Sequence, residues 1–191
     1  EAFSRAIRSG DVEMFFSLLG KARASLVPHE SLLKALLQEY ILKDGYPGLL
    51  NVSSLKVCSQ RLRDYLSLTL YKDVVQVFGI RDPMALEELA VILADASASL
   101  VEYSSISKTL SMKLDTVKSY LDYLEAVFLI SRAEFYSKSR AARIRKGDKI
   151  YFVNVGLRNA LLGQLDESLL SDATALGKVI ETLVHEHCRR L

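Results

Sequence analysis

Six apolar residues between Ser104 and Ile130 constrain the fold more than anything else in this chain: Ile106, Leu110, Met112, Val117, Leu121 and Leu124. Ile106 and Leu110 lie one helical turn apart. Val117, Leu121, Leu124 and Phe128 repeat at helical spacing, so they share one face of a second helix. Ser111-Met112-Lys113 between the two reads as a turn. The pattern predicts a short helix from about Ser104 to Leu110 and a longer one to about Phe128, with Val117, Leu121, Leu124 and Phe128 facing inward. The period then changes from helical to alternating. Ile130 to Phe135 and Lys149 to Val153 read as strands, with Gly147-Asp148 as a turn before the second. Upstream, Asp82-Pro83 is a capping carboxylate followed by a proline suited to the first helical position. The helix it opens carries Leu86, Leu89, Leu93 and Ser97 on one stripe, with Ala90 and Ala94 beside it. Three helices followed by a two-stranded ribbon is the order of a winged helix-turn-helix, predicted here for residues 81–155.

Residues 1–80 read as helices. Asp11 can cap one that carries Phe15, Phe16, Leu18 and Leu19. Pro28 suits the first turn of another, with Leu32, Leu33, Leu36, Leu37, Tyr40 and Ile41 on its apolar side. Gly45-Tyr46-Pro47-Gly48 breaks that helix. A long helix is predicted from about Ser54 to Phe78, where Leu62, Leu66, Leu70 and Val74 step by four until Gly79. Residues 156–191 hold a short helix from Gly156 to Leu162, a polar connector and a helix from about Gly177. The fold class is therefore mainly α with a small β-ribbon wing.

Charge locates the candidate contact. The chain carries a net charge of +2, yet seven basic residues against two acids fall between Arg132 and Lys149, so the remainder carries −3. A basic loop on a mildly acidic body suggests a polyanion contact. On the third helix of the unit the outward positions are Asp115, Thr116, Lys118, Ser119 and Asp122. Thr116, Lys118 and Ser119 are candidate contacts to phosphate or base edges, while Asp115 and Asp122 repel phosphate. The wing contributes Lys138, Arg140, Arg143, Arg145 and Lys146. DNA is thus the expected partner. The alternative is a winged helix that packs on protein, its basic loop merely solvated.

Several motifs go further when taken in order: Asp44-Gly45-Tyr46-Pro47, Tyr71-Lys72-Asp73-Val74, Ile80-Arg81-Asp82, and the run Thr116 to Glu125. Downstream come Tyr136-Ser137-Lys138-Ser139, Lys149-Ile150-Tyr151-Phe152, Val155-Gly156-Leu157-Arg158-Asn159, and Gly177 with Glu181 to Val184. From about Leu36 to Leu191 the sequence resembles the C-terminal part of prokaryotic AAA-type ATPases, which carry an ATPase module, a winged helix and a nuclease-like domain of unknown function. The resemblance implies that residues 1–80 are a helical lid-like region, that 156–191 begin a truncated C-terminal domain, and that the parent binds ATP and Mg. It makes the upstream ATPase core a partner and Glu181 the first acid of the nuclease-like domain. The sequence departs from the family at Asn154, where an Asp is usual, and at Ser111 and Lys113, which replace a turn glycine and a serine cap.

This chain is itself expected to be no enzyme. It contains no G-x-x-x-x-G-K-[S/T]; Gly20-Lys21-Ala22 lacks the first glycine and the hydroxyl. His185 and His187 are two apart and point different ways on a helix, a poor metal pair. No metal or cofactor is therefore expected. Cys58 and Cys188 give no disulfide framework. The apolar run from Leu86 to Leu100 is interrupted by Glu87, Glu88 and Asp95, so no membrane contact is expected, and the location is expected to be cytoplasmic. The first residue is Glu1 rather than Met and helical patterning runs to Leu191, so the chain is expected to be a piece of a longer protein.

Overall fold

A computed structural model describes residues 2–134 and 147–190. Phe135, the Tyr136–Ser139 motif and the wing residues Lys138, Arg140, Arg143, Arg145 and Lys146 lie outside the described residues. The chain begins with α1 (Ala2–Ser9), α2 (Val12–Leu26) and α3 (Glu30–Lys43). Asp11 caps α2 by accepting from the Met14 amide at 2.8 Å. Pro28 lies in a 3-10 turn, Val27–His29, just before α3 rather than within its first turn. Next come α4 (Leu55–Ser67), a π-helical stretch (Leu68–Val74) and α5 (Val75–Phe78), together filling the span expected of one long helix. Leu62, Leu66, Leu70 and Val74 are all buried. A stripe stepping by four drifts around a helix of 3.6 residues per turn, and the wider π turns absorb that drift and keep the stripe on the core.

Asp82 caps α6 (Pro83–Asp95) through the Ala85 amide. β1 (Ser99–Val101), α7 (Tyr103–Thr109), α8 (Leu114–Ala126), β2 (Ile130–Glu134) and β3 (Asp148–Phe152) follow, then α9 (Val155–Leu161) and α10 (Ala173–Arg189). The expected two-stranded ribbon has a third strand: the antiparallel sheet has order β1-β3-β2, with Ser99 opposite Ile150 and Ile130 opposite Phe152. β1 is three residues long with a single buried side chain, too short to leave an alternating pattern.

Val117, Leu121 and Leu124 are fully buried, as their stripe requires, but Phe128 is 72% exposed. The reason is the way α8 ends. Phe128 has φ 58°, its amide donates to the Glu125 carbonyl, and the Leu129 amide donates to the Leu124 carbonyl. That is a Schellman turn, in which the left-handed residue leaves the helical face and the next one returns to the core; Leu129 is the buried residue here. α7 ends in the same way, with Ser111 at φ 49° and the Met112 amide on the Ser107 carbonyl. Lys113 precedes α8 without a side-chain cap bond, yet the helix begins at Leu114.

One core of buried residues runs from Leu49 to Leu165, joining α4, α6, α8, the sheet and α9. A smaller cluster joins the end of α3 (Ile41, Leu42) to Val155, Leu169, Ala175 and Val179. The sequence motifs at 44–47 and 155–159 meet at this second cluster. The Val155 amide donates to Asp44 Oδ2 at 2.8 Å, and Asn159 Nδ2 donates to the carbonyls of Ile41 (2.9 Å) and Leu42 (3.0 Å). Gly156 lies so close to the Lys43 carbonyl that a Cβ would sit 2.5 Å from its oxygen. Arg158, also buried, donates to the Ala94 carbonyl near the end of α6 and to the side chains of Asn159 and Gln164. The two neighbouring side chains thus satisfy carbonyls at the ends of two different helices. Asn154 caps α9 through the Leu157 amide at 2.8 Å, so the departure from Asp at that position keeps the cap.

Candidate nucleic-acid interface

α8 buries Val117, Tyr120, Leu121 and Leu124, which leaves Asp115, Lys118, Ser119 and Asp122 along the opposite face at helical spacing. Lys118 is exposed, while Thr116 and Ser119 are half-buried. The Ser119 hydroxyl donates to the Asp115 carbonyl at 3.0 Å, so it meets an incoming group as an acceptor unless it rotates away. Two lysines not among the contacts expected from the sequence, Lys108 late in α7 and Lys113 before α8, are exposed about the turn. Their signal in the sequence is a lysine before and a lysine within the predicted turn.

The acids of this face are not equivalent. Asp122 accepts from Arg132 Nη2 at 2.7 Å, and Arg132 Nε donates to Glu125 Oε2 at 2.8 Å. Burial works against the Arg132 charge, but its bonds to Glu125 and Asp122 outweigh that and raise its pKa further. Asp122 is therefore paired from β2, though one guanidinium shared by two carboxylates leaves the cluster at −1, and Asp115 stands beside Lys118 without such a pairing among the described residues. Lys149 is also committed, to Glu181 of α10 at 2.5 Å. Of the seven basic residues between Arg132 and Lys149, these two are spent internally, and the other five lie outside the described residues. Asp148 accepts from the Tyr103 hydroxyl; burial and this bond hold the phenol protonated well above its ordinary value.

The far side of the sheet carries a second polar cluster. The Tyr151 hydroxyl donates to Glu181 at 2.9 Å, and burial followed by this bond pushes the Tyr151 pKa up to about 12. His185 stacks on the Tyr151 ring with centroids 3.8 Å apart, and its Nε2 lies 3.3 Å from Ser131 Oγ. The Ser131 hydroxyl donates to the buried Glu186 at 2.6 Å, and Arg189 donates to the same carboxylate. Ser131 is itself buried, so its hydroxyl links strand and helix within the interior. His187 lies by Tyr40 instead, with centroids 6.2 Å apart, so the two histidines do diverge. Among the described residues, no group of three or more His, Cys, Asp or Glu is placed to hold a metal ion. No described helix is long and apolar enough to cross a membrane.

With this geometry in view, comparison with known proteins gives a family. The model of a family described as Domain of unknown function (DUF8612) matches residues 34–168. The chain belongs to that family. An uncharacterized protein of Haemophilus influenzae is 27% identical over 138 residues, covering 70% of this chain and 34% of that protein. One of Methanocaldococcus jannaschii is 25% identical over 175 residues, 89% of this chain and 37% of that protein. One of Mycobacterium tuberculosis is 26% identical over 151 residues, 78% of this chain and 34% of that protein. The chain thus spans about a third of the length of the curated relatives it matches. No solved structure matches. The family match takes in the joint at residues 44 and 155–159, α8 and the sheet, and begins within α3.

Proposed function

We propose that this member of the family is the winged-helix, nucleic-acid-binding and regulatory region of a larger AAA-type ATP-binding protein, and that it contacts DNA through the basic residues between β2 and β3 and through α8. The order α6-β1-α7-α8-β2-β3 supports the winged-helix reading, with α8 as the helix presented to the major groove. The observation that carries the DNA reading is that Arg132 of β2 engages Asp122. That pairing weakens one of the two acids that oppose phosphate on α8, while Lys118, Lys108 and Lys113 are exposed around the turn. The contacts proposed are Thr116, Lys118, Ser119, Lys138, Arg140, Arg143, Arg145 and Lys146. No nucleotide site is assigned to this chain, since Gly20-Lys21 lies inside α2 and not in a phosphate-cradling loop. ATP and Mg belong, on this proposal, to the rest of the longer protein.

The test is duplex binding across a salt series. Replacing Arg140, Arg143 and Arg145 together by Ala is expected to flatten the log–log salt slope by up to roughly 3, since each lost phosphate contact removes about 0.9. Lys118→Ala is expected to matter less, with Asp115 beside it. An unchanged slope in the triple variant, or no binding at low salt, overturns the DNA reading. A second reading, docking on protein, is favoured by the exposed Leu32, Leu33, Leu36 and Leu37 of α3. Binding of that kind would persist at high salt, where phosphate contacts fail.

A further inference from the structure

From residue 2 to residue 40, Ala6 is the only buried side chain, so α1, α2 and most of α3 form an arm without a core of its own. Its attachment to the rest of the chain is concentrated at the last turn of α3, where Ile41, Leu42 and Lys43 are buried. We propose that the joint formed there by Asp44, Gly156 and Asn159 is a transmission, through which displacement of the arm shifts β3 and the seating of α8. The regulatory meaning of this inference rests on α8 being the nucleic-acid-contacting helix.

Three features leave the joint little slack. Asn159 holds two successive carbonyls of α3 with one amide group. Gly156 meets the Lys43 carbonyl with no room for even a methyl group. Asp44 is held at φ 59°, ψ −165°, a backbone conformation natural only to glycine, with its carboxylate on the Val155 and Gly45 amides. From the joint to α8 the path is short and made of backbone. Val155 begins three residues after Phe152, the end of β3, and β3 is bonded on both edges, to β1 and β2. Between them, the Val153 amide donates at 3.1 Å to the carbonyl of Leu129, the buried residue of the turn that ends α8. A shift of α3 along its axis pulls on Val155, and the strand cannot yield without disturbing that turn.

Hydrogen exchange on the full chain tests this. Asp44→Gly removes the carboxylate while glycine adopts the same backbone freely, so it opens the joint without adding strain. Asp44→Asn keeps an acceptor oxygen. In Asp44→Gly, exchange is expected to rise at least about tenfold both at Tyr40–Lys43 and at Tyr151–Leu157, with a smaller rise at Leu129–Ser131 and no change in α6. Asp44→Asn is expected to stay within about twofold of the parent at those sites. A rise confined to α3, or one uniform over the chain, overturns the proposal. A duplex of arbitrary sequence at low salt adds a second reading of the joint. It is expected to slow exchange at Tyr40–Lys43 in the parent but not in Asp44→Gly; protection of α8 with no effect at Tyr40–Lys43 in the parent also overturns it. If the duplex does not bind, the DNA reading fails, and the ligand-free comparison alone decides the joint.

Discussion

At the ends of α1, α7, α8 and α9 a residue with positive φ turns the chain back, and those residues are Gly10, Ser111, Phe128 and Gly163. Glycine adopts that conformation without cost, whereas a side chain with a Cβ costs about 1–2 kcal/mol there. Ser111 is exposed, so nothing is lost by removing its side chain. Ser111→Gly is expected to raise stability by up to about 1 kcal/mol after the added freedom of the unfolded chain is subtracted. Urea denaturation checks it, and a loss would mean that the Ser111 hydroxyl has a role that the turn geometry does not reveal. Gly156 and Gly177 stand alike in the sequence motifs, but they are opposites. An alanine Cβ at Gly156 would meet a backbone carbonyl that cannot move aside, while at Gly177 there is nothing within 4 Å. Gly156→Ala is expected to cost about 1–3 kcal/mol. Gly177→Ala, inside α10, is expected to gain about 0.5–1 kcal/mol.

Among the elements, α10 is joined to the sheet largely by polar side chains, which makes its docking sensitive to acid. Burial lowers the His185 pKa below its ordinary 6.5, with Arg189 acting in the same direction and Glu186 and Glu181 opposing. For Glu181, burial acts upward, but Lys149 and Tyr151 outweigh it, and its pKa falls below the ordinary 4.5. Both groups release protons on folding. The stability they contribute is present in full above pH 6.5 and declines as pH falls, first through the His185 window and then through that of Glu181. His185→Gln is expected to flatten the fall in melting temperature between pH 7 and pH 5.5; an unchanged curve would show that another group titrates there. The elements themselves were largely legible in the sequence. Asp11, Asp82 and the stripe at Leu86, Leu89 and Leu93 placed their helices correctly, because capping and helical spacing are local. β1 was missed because its partner lies some fifty residues away on β3 and its own three residues carry no period. The pairing of Arg132 with Asp122 was invisible for a similar reason: counting charges along a segment cannot tell a solvated arginine from one already bound to a neighbouring helix. Phe128 was misplaced because its apolar spacing runs on past the turn at which the helix stops.

Viewed whole, the molecule divides sharply by burial. Leu62, Leu86, Leu93 and Leu121 are fully enclosed, while Leu32, Leu36 and Leu37 are at least half exposed although they too lie on a helix at apolar spacing. Spacing alone told the two groups apart no better than composition, because a helix face that is covered by a partner carries the same pattern as one that is covered by its own chain. The difference has a measurable consequence. Truncating an enclosed leucine leaves a cavity, so Leu121→Ala is expected to cost about 2–5 kcal/mol. Replacing an exposed one removes little that folding had buried, so Leu32→Gln and Leu36→Gln are each expected to change stability by no more than about 0.5 kcal/mol. Urea denaturation of the three variants against the parent makes the comparison. If Leu36→Gln proves as costly as Leu121→Ala, the arm is covered in solution and its apolar side belongs to the folded core. If Leu121→Ala costs under about half a kilocalorie, the facing of α8 is wrong, and with it the outward position of Lys118 on which the proposed contact depends.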